Sequence, residues 1–125
     1  MRLNQITLPV SEIARSKAFY QGLGFRLLVD SPDYCRFLAP EGDTTFSLHV
    51  EERVRPGAVI YLECEDVDAA VARLTAAGYA FDTPPRDERW LWREASLLDP
   101  DGHRIKVYHG GENRIDPPWR VKPDA

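Results

Sequence analysis

The feature that most constrains the fold is a strand and helix pattern that occurs twice. Between Ser11 and Gly24 the chain reads SEIARSKAFYQGLG. Ser11 can cap a first turn, Ala14, Ala18 and Phe19 recur at helical spacing, and two glycines close the segment. Between Asp66 and Gly78 it reads DVDAAVARLTAAG. Here Asp66 is the cap, Val67, Ala70, Val71 and Leu74 form the apolar stripe, and Gly78 is the stop. Each helix follows a strand-like run, LNQITL or VIYLEC, and precedes short strand candidates. FLAPEGDTTFSLHV then matches LLDPDGHRIKVYHG, with Pro40 and Gly42 answering Pro100 and Gly102 at an offset of 60, close to the 55 between Ser11 and Asp66. The expected class is α+β: two tandem βαβββ modules, about residues 1–53 and 56–110, joined by RPG at 55–57 and followed by an extended tail over 111–125. One such module leaves a sheet face free of helix, and two mixed sheets set face to face form a cup.

At 125 residues, 43% hydrophobic and 29% charged, the chain suits one domain with a real core. A net charge of -4 with no block of basic residues argues against nucleic acid and anionic membranes, leaving a small molecule or a protein as partner. MRLNQITLPV runs straight into alternating sequence, and no apolar run approaches membrane-spanning length, so a soluble, cytoplasmic protein is expected. Cys35 and Cys64 lack metal-like or redox spacing and sit in apolar segments, which reads as buried, reduced thiols.

Strand alternation sorts the side chains into two sets. One contains Gln5 and Thr7; Thr45, Ser47 and His49; Val59, Tyr61 and Glu63; and Arg104, Lys106 and Tyr108. The other contains Ile6, Leu8, Phe46, Leu48, Val50, Ile60, Leu62, Cys64, Ile105 and Val107, the expected core under the helices. The first set is too polar to pack dry, because an unsatisfied buried hydroxyl or amide costs about 1–3 kcal/mol. It is expected to line a hydrated, ligand-accepting cup.

The paired modules, the opening NQITLPVSEIARSKAFYQGLGF, the central IYLECEDVDAAVARL and the closing WREASLLDPDGHRIKVY together resemble the vicinal oxygen chelate superfamily of glyoxalase I, extradiol dioxygenases and bleomycin-resistance proteins. WLWREASLLDPDGH resembles the corresponding part of bleomycin-resistance proteins, which sequester a drug without transforming it. The resemblance implies fold more than activity, since the scaffold hosts isomerases, dioxygenases, thiol transferases and drug binders. It also implies a homodimer in which the cup can be shared.

In metal-dependent members of that superfamily, four inward side chains from the first and last strands of each module hold a divalent ion. Those positions correspond to Gln5, Ser47, Val59 and Lys106. Valine has no lone pair and an ammonium repels a cation, so no metal or other cofactor is expected. The alternative is one ion of zinc, nickel, manganese or iron held by Gln5, His49 and Glu63, serving a glyoxalase-like lyase, isomerase or dioxygenase.

Three roles are open to Lys106: a salt bridge with Glu63 in place of the lost metal charge, recognition of an anionic group with Arg104, or acid-base chemistry with His49 and Tyr108. His49 reads either as a hydrogen-bonded wall residue or as a ligand or base. His103, in the turn DPDGH, is expected to be exposed. If DTPPRDERWLWR is extended, Trp90 and Trp92 point the same way, either to stack on a ligand or to cover an edge or interface, with Arg93 and Glu94 pairing or meeting polar ligand groups. The tail has Trp119 as its only large anchor and is expected to dock on the body or on a partner subunit.

Overall fold

The computed structural model of the chain describes residues 1–123, so the end of the expected tail lies outside the described residues. The first half runs β1 (Gln5–Val10), α1 (Ile13–Gly22), β2 (Arg26–Ser31), β3 (Tyr34–Leu38) and β4 (Thr45–Val50). The second repeats it as β5 (Val59–Glu63), α2 (Val67–Ala76), β6 (Thr83–Asp87), β7 (Arg93–Leu98) and β8 (Arg104–His109). The sheets have the same topology, β1-β4-β3-β2 and β5-β8-β7-β6. Each is mixed, its first and last strands pairing in parallel: Thr7 lies opposite Ser47, and Tyr61 opposite Lys106. The expected class, two βαβββ modules, is the one observed.

Both helices end in one way. Gly24 and Gly78 take positive φ of 106° and 103°. The N–H of the following residue, Phe25 or Tyr79, returns to the carbonyl of Tyr20 or Leu74, closing a Schellman motif. In α1 the apolar contact that accompanies this motif is an edge-on packing of Phe25 against Tyr20, ring centroids 5.7 Å apart. The starts differ. Asp66 caps α2 by accepting the N–H of Ala69 at 3.0 Å, whereas α1 has Glu12 at its N-cap with no side-chain bond. Ser11 instead gives its N–H and hydroxyl to Asp101.

The buried face of α1 also departs from the apolar count. Ala14 and Ala18 are exposed and Phe19 is half-buried, while Ser16 and Tyr20 are fully enclosed. The reason is a pair of carboxylates distant in sequence. Asp99 accepts the Tyr20 hydroxyl at 2.6 Å and Asp101 accepts that of Ser16 at 3.3 Å, so both hydroxyls are satisfied inside. His103 belongs to the same knot and is buried, not exposed: its ring Nε2 meets the carbonyl of Pro9 at 3.0 Å, and its backbone N–H donates to Asp99. Gly42 and Gly102, the matching turn glycines, both have positive φ.

By contacts the chain divides into two compact units, Met1–Ala58 with Leu98–His103, and Val59–Leu97 with the chain from Arg104 onward. The turn carrying Asp99, Asp101 and His103 therefore sits with the first unit. That unit's core is aromatic. Tyr20, Phe25, Phe37 and Phe46 meet at centroid distances of 4.8–6.4 Å, flanked by Leu8, Val10, Cys35 and Leu48. In the second unit Val67, Ala70 and Leu74 of α2 are buried, as are Ala95, Leu97, Ile105 and Val107 of the sheet. Ile6, expected in the core, is 40% exposed near the start of edge strand β1. Cys35 and Cys64 are free thiols, the first buried and the second half-buried, and burial raises the pKa of both.

Candidate functional site

On β8, Ile105 and Val107 are buried in the core, so Arg104, Lys106 and Tyr108 project from the other face. Lys106 Nζ lies 3.0 Å from Glu94 Oε1 on β7. Glu94 is 6% exposed, and its other oxygen accepts the indole N–H of Trp90 at 2.8 Å. The ammonium also stands over the rings of Tyr61 and Trp90, 5.5 and 5.9 Å from their centroids, within cation–π range. The partner of Lys106 is thus Glu94 and not Glu63, whose nearest cation is Arg114 at 3.9 Å.

Beside this pair is an aromatic shelf. Trp92 stacks on Tyr108 with centroids 4.7 Å apart and planes at 28°, and Tyr61 meets both rings edge-on. Trp92 is pinned by its N–H to the carbonyl of Asn113 at 3.1 Å. Gly110 leaves room for it, since a Cβ there would lie 2.9 Å from Trp92 Nε1. Burial, with Glu63 adding, raises the pKa of Tyr108, so its phenol stays protonated. Tyr61 is 47% exposed and presents its ring outward. The segment bearing the tryptophans is not extended. β6 is an edge strand containing Pro84 and Pro85, and residues 88–92 form a turn closed by Glu88 N–H to the Trp92 carbonyl. Leu91 takes φ 67° in that turn, which lets both indoles reach the face of Lys106 and Tyr108.

Arg93 and Glu94 do not pair. Arg93 forks onto Asp68 of α2 at 2.8 and 2.9 Å and also meets Asp87, away from the shelf. These two carboxylates raise its pKa, and Arg93 lowers that of Asp68 in return. Arg104 is committed too, to Asp82 at 3.1 Å and the Ser96 hydroxyl at 2.9 Å.

In the first unit the polar set likewise shares a sheet face. Thr45 donates to Gln5 Oε1 at 2.7 Å, Thr7 and the fully buried Ser47 join hydroxyls at 2.6 Å, and His49 Nδ1 meets Glu51 at 3.0 Å. Tyr34 and Arg36 of β3, opposite His49 and Ser47 in register, complete this face. Alternation along YCRFL signals them, as alternation along REASLL signals Glu94 and Ser96 beside Arg104 and Lys106; attention to first and last strands alone passes over all four. Trp119 does not anchor the tail, being 57% exposed; a short 3-10 helix, Gly111–Arg114, begins it.

A family model for the glyoxalase/bleomycin resistance protein/dioxygenase superfamily matches residues 2–107. The chain belongs to this superfamily. Among solved structures, the glyoxalase superfamily member from Sphaerobacter thermophilus is 27% identical, with a TM-score of 0.73 over 87% of this chain and 97% of that one. A protein of the same superfamily from Nocardioides is 22% identical, with a TM-score of 0.79 over 98% of this chain and 90% of that one. A bleomycin-binding protein in complex with bleomycin is 18% identical, with a TM-score of 0.70 over 89% of this chain and 99% of that one. The last two likenesses are of fold alone. No curated protein matches significantly in sequence.

Among glyoxalase-superfamily proteins the metal-dependent ones need oxygen or nitrogen donors at the four positions named above. The residues present do not fit such an ion. Val59 offers no donor, Lys106 brings a positive charge already bound to Glu94, and Gln5 Oε1 accepts from Thr45. Among the described residues no three His, Cys, Asp or Glu side chains converge as a metal group. No described helix is long and apolar enough to cross a membrane.

Proposed function

We propose that this protein is a small-molecule-binding member of its superfamily that holds a flat, unsaturated ligand on the aromatic shelf without a metal ion. The observation that carries this reading is the shelf itself: the half-buried Trp92 stacks on the buried Tyr108, Tyr61 meets both rings edge-on and is exposed, and the nearby cation is neutralised by Glu94. A neutral, ring-rich surface favours stacking over ion pairing, and Lys106, Glu94 and Trp90 lend it a polar edge for orientation. The bleomycin-binding protein of the same fold supports a role in binding over turnover. A homodimer in the cytoplasm, with two reduced thiols, accords with this role.

Calorimetric titration with bleomycin and a panel of neutral flat heteroaromatics tests the reading. Saturable binding that weakens about tenfold in Trp92→Ala is expected, given the value of a buried aromatic contact. Binding that ignores Trp92, or none, would remove the shelf as the site. Elemental analysis after loading with zinc, nickel, manganese or iron tests the metal-free part: a stoichiometric ion lost in His49→Ala would overturn it.

A further inference from the structure

On the free face of the second sheet, Lys106 is matched by Glu94 and Arg104 by Asp82, and Arg114 of the 3-10 helix lies 3.9 Å from Glu63. Arg36, on the free face of the first sheet, is not matched in this way. Its Nε donates to the Tyr34 hydroxyl at 2.9 Å, and its guanidinium carbon lies 5.6 Å from the centre of that ring. Among the described residues it has no carboxylate partner, and its two terminal nitrogens make no hydrogen bond. A guanidinium held at Nε with both terminal nitrogens open is a preset fork for a planar or tetrahedral oxyanion. Hydroxyls stand beside it. Ser47, fully buried, is directly opposite Arg36 in register, and the exposed Thr7 joins its hydroxyl to that of Ser47 at 2.6 Å.

We infer that Arg36, with the hydroxyls of Tyr34 and Thr7, binds the oxyanion of a small ligand, a carboxylate or a phosphoryl group. The Tyr34 phenol lies below its ordinary pKa, chiefly through Ser47, with burial opposing and Arg36 adding. A more acidic phenol is a stronger donor to an anion. The site assigns charge recognition to the first sheet, whereas the cations of the second sheet already have partners. This deepens the small-molecule reading above and rests on it for the claim that these sheet faces meet a ligand.

NMR titration of the full chain labelled with 15N, using benzoate, benzamide and inorganic phosphate, tests the inference. Benzoate should saturate and shift the Arg36 Nε–H and the Tyr34 and Ser47 amides, while benzamide at equal concentration leaves the Arg36 signal in place. Arg36→Met should weaken benzoate at least tenfold with its melting temperature unchanged, and Arg36→Lys, keeping charge but not the fork, should restore only part. Tighter binding of phosphate than benzoate at the same signals identifies the phosphoryl source; the reverse identifies the carboxylate. The inference is overturned if benzoate and phosphate leave the Arg36 signal unmoved, or if Arg36→Met binds them as well as the parent. Failure here with Trp92-dependent binding of neutral heteroaromatics removes only the anion site. Arg36-dependent benzoate binding without any role for Trp92 removes only the shelf.

Discussion

Lys106 and Glu94 face each other across neighbouring strands at 3.0 Å, with Trp90 donating to the carboxylate oxygen that Lys106 leaves free. Both of the acid's oxygens are thereby occupied although the residue is almost wholly buried, and the ammonium keeps some water, its side chain 22% exposed. Lys106→Met should cost about 2 kcal/mol, less than the about 3–5 kcal/mol of a fully buried pair, because the lost partner is partly solvated. The double variant Lys106→Met, Glu94→Leu should recover part of that loss. Urea unfolding of the four proteins in the cycle measures the coupling; strictly additive effects would show that the contact contributes nothing.

Gly110 makes room for Trp92, and an alanine there would press on the indole nitrogen. Gly110→Ala should tilt Trp92 away from Tyr108, lose the bond to Asn113 and weaken any shelf ligand about as much as Trp92→Ala does. Its stability cost should be about 1 kcal/mol, the scale of one aromatic pair. Tryptophan fluorescence and the same calorimetric titrations read both effects, and unchanged binding would place the ligand elsewhere.

Tyr20 is buried against Asp99, and desolvation foremost, then its bond to Asp99 and the charges of Asp99 and Asp101, raise its pKa far above the ordinary phenol value. A raised folded pKa means that its stabilising effect is complete below about pH 10, the unfolded value, and is lost as pH climbs from there toward the folded value. Tyr20→Phe should cost about 1–3 kcal/mol at neutral pH for the lost hydrogen bond. The stability gap between parent and variant should then narrow above about pH 10, as the unfolded parent gains by ionising this phenol. A gap that stays constant to about pH 11 in urea titrations would contradict the assignment.

Leu91 occupies the left-handed region at φ 67° and is 48% exposed. Leu91→Gly removes a steric cost of about 1–2 kcal/mol and adds a smaller unfolded-state entropy cost, so thermal unfolding should show no loss and up to about 1 kcal/mol of gain. A loss above about 1 kcal/mol would mean that the leucine side chain is packed in solution.

Local features of the chain were legible where the physics is local. Asp66 before an apolar stripe does cap α2, and Gly78 does end it, because a cap needs only the N–H groups two or three residues away. Alternation assigned Lys106 and Tyr108 to the face opposite Ile105 and Val107, since the pleat alone determines it. The duplicated topology followed from the same patterns read twice. Failures came where a partner distant in sequence changed what a residue could afford to bury. Ser16, Tyr20 and His103 are enclosed only because Asp99, Asp101 and the Pro9 carbonyl meet them. Ser11 sits where a cap belongs, yet gives its hydrogen to Asp101.

The sequence by itself determined the two βαβββ modules, their helix ends and the sorting of side chains between faces, because hydrophobic period, capping and turn chemistry act within a few residues. Only the tertiary structure decided which charges are matched. Glu94 reaches Lys106 through sheet register, the turn at Leu91 brings Trp90 and Trp92 to one face, and Arg36 is left with a phenol in place of a carboxylate. Ion pairing falls steeply with distance, and those distances are set by strand order and not by position along the chain.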